Sequence, residues 1–201
     1  MGGGKPAHAD TRTIMAIGDS LTAGTGLPVA NAFPARLEAA LQKKGHDVKV
    51  INAGVGGETS SGTLTRLEWT LTQKPDYIIL EIGGNDMLRA VDPAITRGNI
   101  DKILSVIAAH KIPVLVAGMR AFLNLGPSFG ASYETMYRDL SKKYGAVYYP
   151  FFLDGAALHP DFVQDDGLHP NAAGVEVIVG KMLPSVEKLL SRGPGDILKE
   201  K

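Results

Sequence analysis

Five short apolar runs recur along the chain: TIMAIG (13–18), VKVIN (48–52), YIILEIG (77–83), PVLVAGM (113–119) and AVYYP (146–150). Each is rich in Val, Ile or Tyr and is followed by Gly, Asn or Pro, the pattern of a buried strand that stops at a turn. Between them the apolar positions change to helical spacing. Phe33, Leu37, Ala40 and Leu41 form one such face, Leu64, Leu67 and Leu71 a second, and Ile100, Ile103, Leu104 and Ile107 a third. Tyr133, Met136, Tyr137 and Leu140 make a fourth, and Val175, Ile178, Val179, Met182, Leu183 and Val186 a fifth. Recurrence at three and four residues puts these side chains on one side of a helix. Punctuation agrees: Gly45 and Gly145 sit where helices end on glycine, and Asp92-Pro93 reads as an N-cap followed by a first-turn proline.

Strand and helix alternating throughout predict an α/β protein, a parallel sheet covered by helices on both faces. No linker, repeat or low-complexity stretch interrupts residues 12–190, so one domain is expected there, flanked by tails at 1–11 and 191–201. With 201 residues, such a domain buries about 70% of the surface its unfolded chain exposes. Sheets of this kind bind ligands beyond the carboxyl ends of their strands, which gives residues at strand ends functional weight.

Composition narrows the chemistry. Lys plus Arg and Asp plus Glu both total 21, giving zero formal charge, so there is no basic field to attract nucleic acid. No apolar run has the length of a membrane helix. Cysteine is missing from the sequence, which removes disulfides, thiolate metal sites and a thiol nucleophile. A nucleophile must then be an oxygen or a lysine. Ala7-His8-Ala9 before Asp10 fits the small-x-small pattern of a signal-peptidase site, and a short flexible tail would look the same.

The first strand runs into AIGDSLTAGTG (16–26), where Gly, Asp and Ser serve turn chemistry or place Ser20 at a strand end. A serine hydroxyl needs a base, and histidine suits that task near neutrality. Of the five histidines, His8 is in the tail, His46 and His110 follow helices at the opposite end of the sheet, and His159 precedes a proline. His169, in DDGLHPN (165–171), has Asp166 three residues before it, a spacing that lets a carboxylate hold an imidazole. The same loop could instead cap the last helix through Asn171 or Asp166. Two further strand ends carry glycine with a donor: INAGVGGETS (51–60) and YIILEIGGND (77–86), with Asn85 after paired glycines. Such donors could hold an oxyanion, which is usually the largest single catalytic term in ester cleavage.

Taken together, GDSL (18–21), NAGVGGETS (52–60), GGND (83–86) and DDGLHPN (165–171) resemble, in order, the blocks of the SGNH or GDSL-type hydrolases. The likeness covers residues 13–190 and is strongest to the bacterial thioesterase, lysophospholipase and arylesterase branch. It implies a three-layer α/β/α sandwich around a five-stranded parallel sheet, the flavodoxin-like SGNH fold. It also implies a serine esterase that works through an acyl-enzyme on small or medium acyl or aryl esters without a cofactor. Thioesterase, lysophospholipase and carbohydrate acetylesterase activity are alternatives on the same site, and a non-catalytic binding protein is the alternative from another class. By this resemblance Ser20 is the nucleophile, His169 the base and Asp166 its partner. The oxyanion donors are the Ser20 amide, Gly57 and Asn85, with Gly56 the neighbouring choice of register. The branch is usually exported, which suits the Ala7-His8-Ala9 pattern.

Around these blocks Met87, Leu88, Phe122, Leu123, Leu125 and Phe129 either line an acyl groove or fill the core. Arg120 meets substrate or a neighbouring carboxylate. Rival readings fit less well. There is no G-x-G-x-x-G or P-loop for a nucleotide, and Ser20 is not within the G-x-S-x-G of an α/β-hydrolase. Asp165, Asp166 and His169 as metal ligands lack a second His or Asp cluster. A small-molecule ester is the expected partner; nucleic acid and a membrane span are not expected, and oligomeric state is left open.

Overall fold

The computed structural model describes residues 11–120 and 127–193, and the side chains among them except those of 127 and 128. Five strands, β1 (Arg12–Gly18), β2 (Val48–Gly54), β3 (Tyr77–Glu81), β4 (Val114–Ala117) and β5 (Val147–Tyr149), form one sheet in the order β2-β1-β3-β4-β5. All neighbouring pairs are parallel. The central strands are largely apolar because helices cover both faces; all five residues of β3, Glu81 included, are buried.

Among the described residues, seven α-helices connect and cover the strands: α1 (Ser20–Ala23), α2 (Phe33–Lys43), α3 (Ser60–Leu71), α4 (Gly84–Leu88), α5 (Pro93–Ala109), α6 (Pro127–Lys143) and α7 (Ala172–Leu190). Helix α2 packs with α7, while α3 packs with α5 and α5 with α6. The helical faces read from the sequence supply the core: Phe33, Leu37, Leu41, Leu67, Ile100, Ile103, Tyr133, Tyr137, Ile178 and Met182 are all at most 1% exposed. Asp92 caps α5 by accepting the Ala94 N–H at 2.8 Å. After α2, Gly45 takes φ +88°, and the His46 N–H returns to the Leu41 carbonyl at 3.1 Å, a glycine-terminated helix end.

Two short helices, α1 and α4, were not expected, since four or five residues leave no room for a hydrophobic period to show. Both start directly after central strands, α1 after β1 and α4 after β3. In the order 2-1-3-4-5 the connections leave in opposite directions from β1 and β3, so a crevice opens between their carboxyl ends. Gly18, at the end of β1, keeps this crossing tight. A Cβ there would stand 2.1 Å from Thr22 Oγ1 and 2.6 Å from Glu81 Oε2. No helix among the described residues is long and apolar enough to cross a membrane.

Candidate active site

Ser20 is the first residue of α1, and the helix is capped by the residue before it: Asp19 Oδ1 accepts the Leu21 N–H at 3.0 Å. The cap fixes the backbone on which the Ser20 hydroxyl stands. Its Oγ lies 2.8 Å from His169 Nε2, a contact between residues 149 apart in sequence. On the other side of the ring, His169 Nδ1 lies 2.6 Å from Asp166 Oδ2. An ionised carboxylate can only accept, so Nδ1 carries the hydrogen and Nε2 is left to accept from the serine hydroxyl.

The loop that delivers His169 is folded by the same carboxylate. Asp166 Oδ1 accepts the Leu168 N–H at 2.8 Å and the His169 N–H at 2.9 Å while Oδ2 holds the ring. The imidazole bond and these two amide bonds pull the Asp166 carboxyl down to about 2, because each favours the charged form. The helix cap falls to the other candidate: Asn171 Oδ1 accepts the Gly174 N–H at 3.0 Å, and its amide donates to the Asp161 and Val163 carbonyls. Asp166 is thereby free for His169. Asp165 makes no hydrogen bond among the described residues.

Across the crevice, Asn85 sits in the first turn of α4 and donates Nδ2 to Asp19 Oδ2 at 2.9 Å. That leaves its second amide hydrogen available. In the loop after β2, Gly57 takes φ +75°, a conformation that favours glycine. Its carbonyl accepts from Arg89 Nη2 at 2.9 Å. Among the described residues neither the Ser20 nor the Gly57 N–H has an acceptor, so three donors from three strand ends stay open. Gly56 lies beside Gly57 with φ outside the left-handed region.

Of the candidate lining residues, Met87 is corrected to the core: it is 2% exposed and packs among buried residues, so it offers no surface to a groove. Leu88, by contrast, is 53% exposed. Phe129 stacks on Tyr133 with centroids 5.1 Å apart. It also borders an open cavity of about 750 Å³ with Asp92, Pro93, Arg97 and Met136. Arg120 pairs with Glu134 at 3.5 Å and lies over the Phe151 ring at 5.1 Å, the neighbouring-carboxylate alternative. Phe122, Leu123 and Leu125 lie outside the described residues. His46 pairs with Glu187 and His110 with Glu68, while His159 stacks on Phe162, so none of these three meets Ser20.

Several supporting residues escaped the sequence reading. Gln164 Nε2 donates to the Thr25 carbonyl at 2.8 Å and to the Pro170 carbonyl at 2.9 Å, tying the His169 loop to the loop after α1. Arg66 grips Glu58 with Nε at 2.7 Å and Nη2 at 2.6 Å, and also reaches the Ala53 carbonyl at 2.8 Å. This clamps both ends of the Gly57 loop to α3. Asp86 accepts from the Ser60 N–H at 2.8 Å, the Ser60 hydroxyl at 2.5 Å and the Thr96 hydroxyl at 3.2 Å, joining the start of α4 to α3 and α5. Polar residues on helices or in loops carry no period, so no pattern marked them. Glu81 had a signal, a charged side chain inside the apolar run YIILEIG.

The chain is similar to several known proteins. The chain is 34% identical to the arylesterase of Vibrio mimicus over 165 residues, 82% of each protein. It is 33% identical to thioesterase 1/protease 1/lysophospholipase L1 of Escherichia coli K12 over 188 residues, 93% of this chain and 88% of that one. The crystal structure of AlinE4, an SGNH-hydrolase family esterase, superposes with a TM-score of 0.77 at 42% identity, covering 92% of this chain and 99% of that one. Residues 16–177 match the GDSL-like lipase/acylhydrolase family. With most of its length matched and its four sequence blocks gathered at one crevice, the chain belongs to the GDSL-like lipase/acylhydrolase family.

Proposed function

We propose that this protein is a serine esterase that cleaves carboxylic esters through an acyl-enzyme. The observation that carries the reading is the continuous relay from Ser20 Oγ to His169 Nε2 and from His169 Nδ1 to Asp166. As the Ser20 oxygen attacks the ester carbonyl, its proton passes to His169 Nε2, and Asp166 stabilises the imidazolium. The carbonyl oxygen takes up negative charge and is held by the Ser20 and Gly57 N–H groups and the Asn85 amide. Collapse expels the alcohol, which leaves with the proton from Nε2. Water then enters, gives a proton to the same nitrogen and attacks the acyl carbonyl. Release of the acid returns that proton to Ser20.

Small to medium acyl or aryl esters are the substrate class we assign, in keeping with the relative named arylesterase. A thioester or lysophospholipid is the second reading, favoured by the relative named thioesterase 1/protease 1/lysophospholipase L1. The chemistry at Ser20 is the same for both. A panel of p-nitrophenyl esters of increasing acyl length, run beside acyl-CoA thioesters, separates them by kcat/KM. Ser20→Ala tests the mechanism itself: turnover should fall by about 10⁶ in kcat, as for loss of the nucleophile in a comparable serine hydrolase. Undiminished hydrolysis by a clean Ser20→Ala preparation would overturn the assignment.

A further inference from the structure

Behind the proposed oxyanion donors lies a pair of buried carboxyl groups that the relay does not use. Glu81 is the last residue of β3 and is 0% exposed; Asp19, at the end of β1, is 1% exposed. The two strands are neighbours in register, with Ile17 beside Leu80, and Glu81 Oε2 accepts the Asp19 N–H at 3.4 Å, so the two buried acids are close neighbours. Two carboxylates buried side by side oppose each other's charge, which favours one proton held by the pair.

The surrounding donors decide which group keeps it. Burial raises the Asp19 carboxyl, but it accepts the Leu21 N–H at 3.0 Å and the Asn85 amide at 2.9 Å, two donors that favour its charged form. Glu81 Oε2 accepts the Thr22 hydroxyl at 2.8 Å and the Asp19 N–H at a longer 3.4 Å. Glu81 Oε1 is buried with no donor to accept from. An ionised Glu81 would leave that oxygen buried, charged and without a donor, which favours the protonated form.

We propose that Glu81 is a positioning residue, a neutral acid that donates its hydrogen to Asp19 and through it holds the Asn85 amide toward the oxyanion. The inference rests on the reading of Ser20 as nucleophile and Asn85 as a donor. It gives Asp19 two tasks, capping α1 under Ser20 and accepting one Asn85 hydrogen so that the other is aimed. The proton on Glu81 also limits the charge behind the donors to one negative unit. A second would oppose the oxyanion that the site must stabilise.

Glutamine is the discriminating substitute, since its carbonyl can accept from Thr22 and Asp19 while its amide donates to the Asp19 carboxylate. With p-nitrophenyl butyrate, Glu81→Gln should keep kcat within about threefold of the parent. Glu81→Leu should lower kcat by about 10-fold to 10²-fold, approaching the loss of one oxyanion donor, with KM unchanged. Because Glu81 acts through Asn85, adding Glu81→Leu to Asn85→Ala should change kcat by less than about twofold. Equal losses in the Gln and Leu variants, or fully multiplicative effects in the double variant, would overturn the proposal. Should Glu81→Leu fail to fold, infrared difference spectra decide. At about pH 8, where an ordinary carboxyl is ionised, the parent should show a protonated carboxylic acid band that Glu81→Gln lacks, and its absence overturns the inference. Turnover by Ser20→Ala would instead defeat the esterase reading, and the infrared band would still report on Glu81.

Discussion

Asp165 and Asp166 are adjacent acids of the same chemistry, and their surroundings separate them completely. Asp166 divides its two oxygens between tasks, one closing the turn through the Leu168 and His169 N–H groups and the other holding the His169 ring. Removing its charge should therefore disturb both the loop and the imidazole tautomer. Asp166→Asn is expected to lower kcat by about 10⁴, as loss of the corresponding buried acid does in another triad. The site here is more open, with the Asp166 side chain 47% exposed. Asp165→Asn, without a hydrogen bond to lose, should change kcat by less than about twofold, in line with surface substitutions generally. Steady-state kinetics on both variants checks the pair, and similar losses from each would transfer the orienting role away from Asp166. Gly57 makes a different residue-scale point. It takes a positive φ while its carbonyl reaches Arg89, a backbone conformation that a side chain at this position would strain.

At the level of elements, three loops must meet within hydrogen-bonding distance although they leave different strands and helices. The His169 loop is anchored at two points. Asn171 caps α7 and binds the carbonyls of Asp161 and Val163, while Gln164 reaches across to Thr25. The second anchor sets the separation between His169 and Ser20, because Gln164 also receives its own loop in register through its N–H to the His169 carbonyl at 2.8 Å. Gln164→Ala removes both amide contacts and leaves the helices untouched. We expect kcat to fall by about tenfold, since small misplacements of reacting groups are costly, with the urea midpoint nearly unchanged. A stability loss that fully accounted for lower activity would make Gln164 a merely structural residue. Sequence patterns located the long helices well because each buries a face at regular spacing. They passed over α1 and α4, whose existence depends on Asp19 as a cap and on the turn through Gly83.

For the molecule as a whole, the Asp166 and Glu81 carboxyl environments act on stability in opposite senses. Asp166 has its ionisation lowered to about 2 by the groups that bind it. Its contribution is present above the ordinary range near 4 and disappears as pH falls through about 2. Glu81 is raised well above 4.5, first by burial and then by the charge of Asp19, with the Thr22 hydroxyl working the other way. Tyr137, buried nearby, is itself pushed upward mainly by burial. A raised acid binds its proton more tightly when folded, so its contribution is complete below about 4.5 and is lost as pH rises toward the folded value, by up to about 1.4 kcal/mol per unit. Urea titrations at pH 5 and pH 8 should show the parent losing more stability with pH than Glu81→Gln does; parallel losses would mean that Glu81 is not held neutral. What the sequence determined by itself was whatever is written in local period and local punctuation: five strands, five long helices, their parallel arrangement, and the four blocks that carry Ser20, Gly57, Asn85 and Asp166 with His169. Even the Asp166–His169 pair was local, at a spacing of three. The tertiary structure decided which strand ends face one crevice, that Asn171 and not Asp166 caps the last helix, that Met87 belongs to the core, and that Glu81 meets Asp19. The reason is physical: an apolar period states that a face will be buried but not against what. Contacts across 62 or 149 residues, such as Asp19 with Glu81 and Ser20 with His169, exist once the sheet takes the order β2-β1-β3-β4-β5.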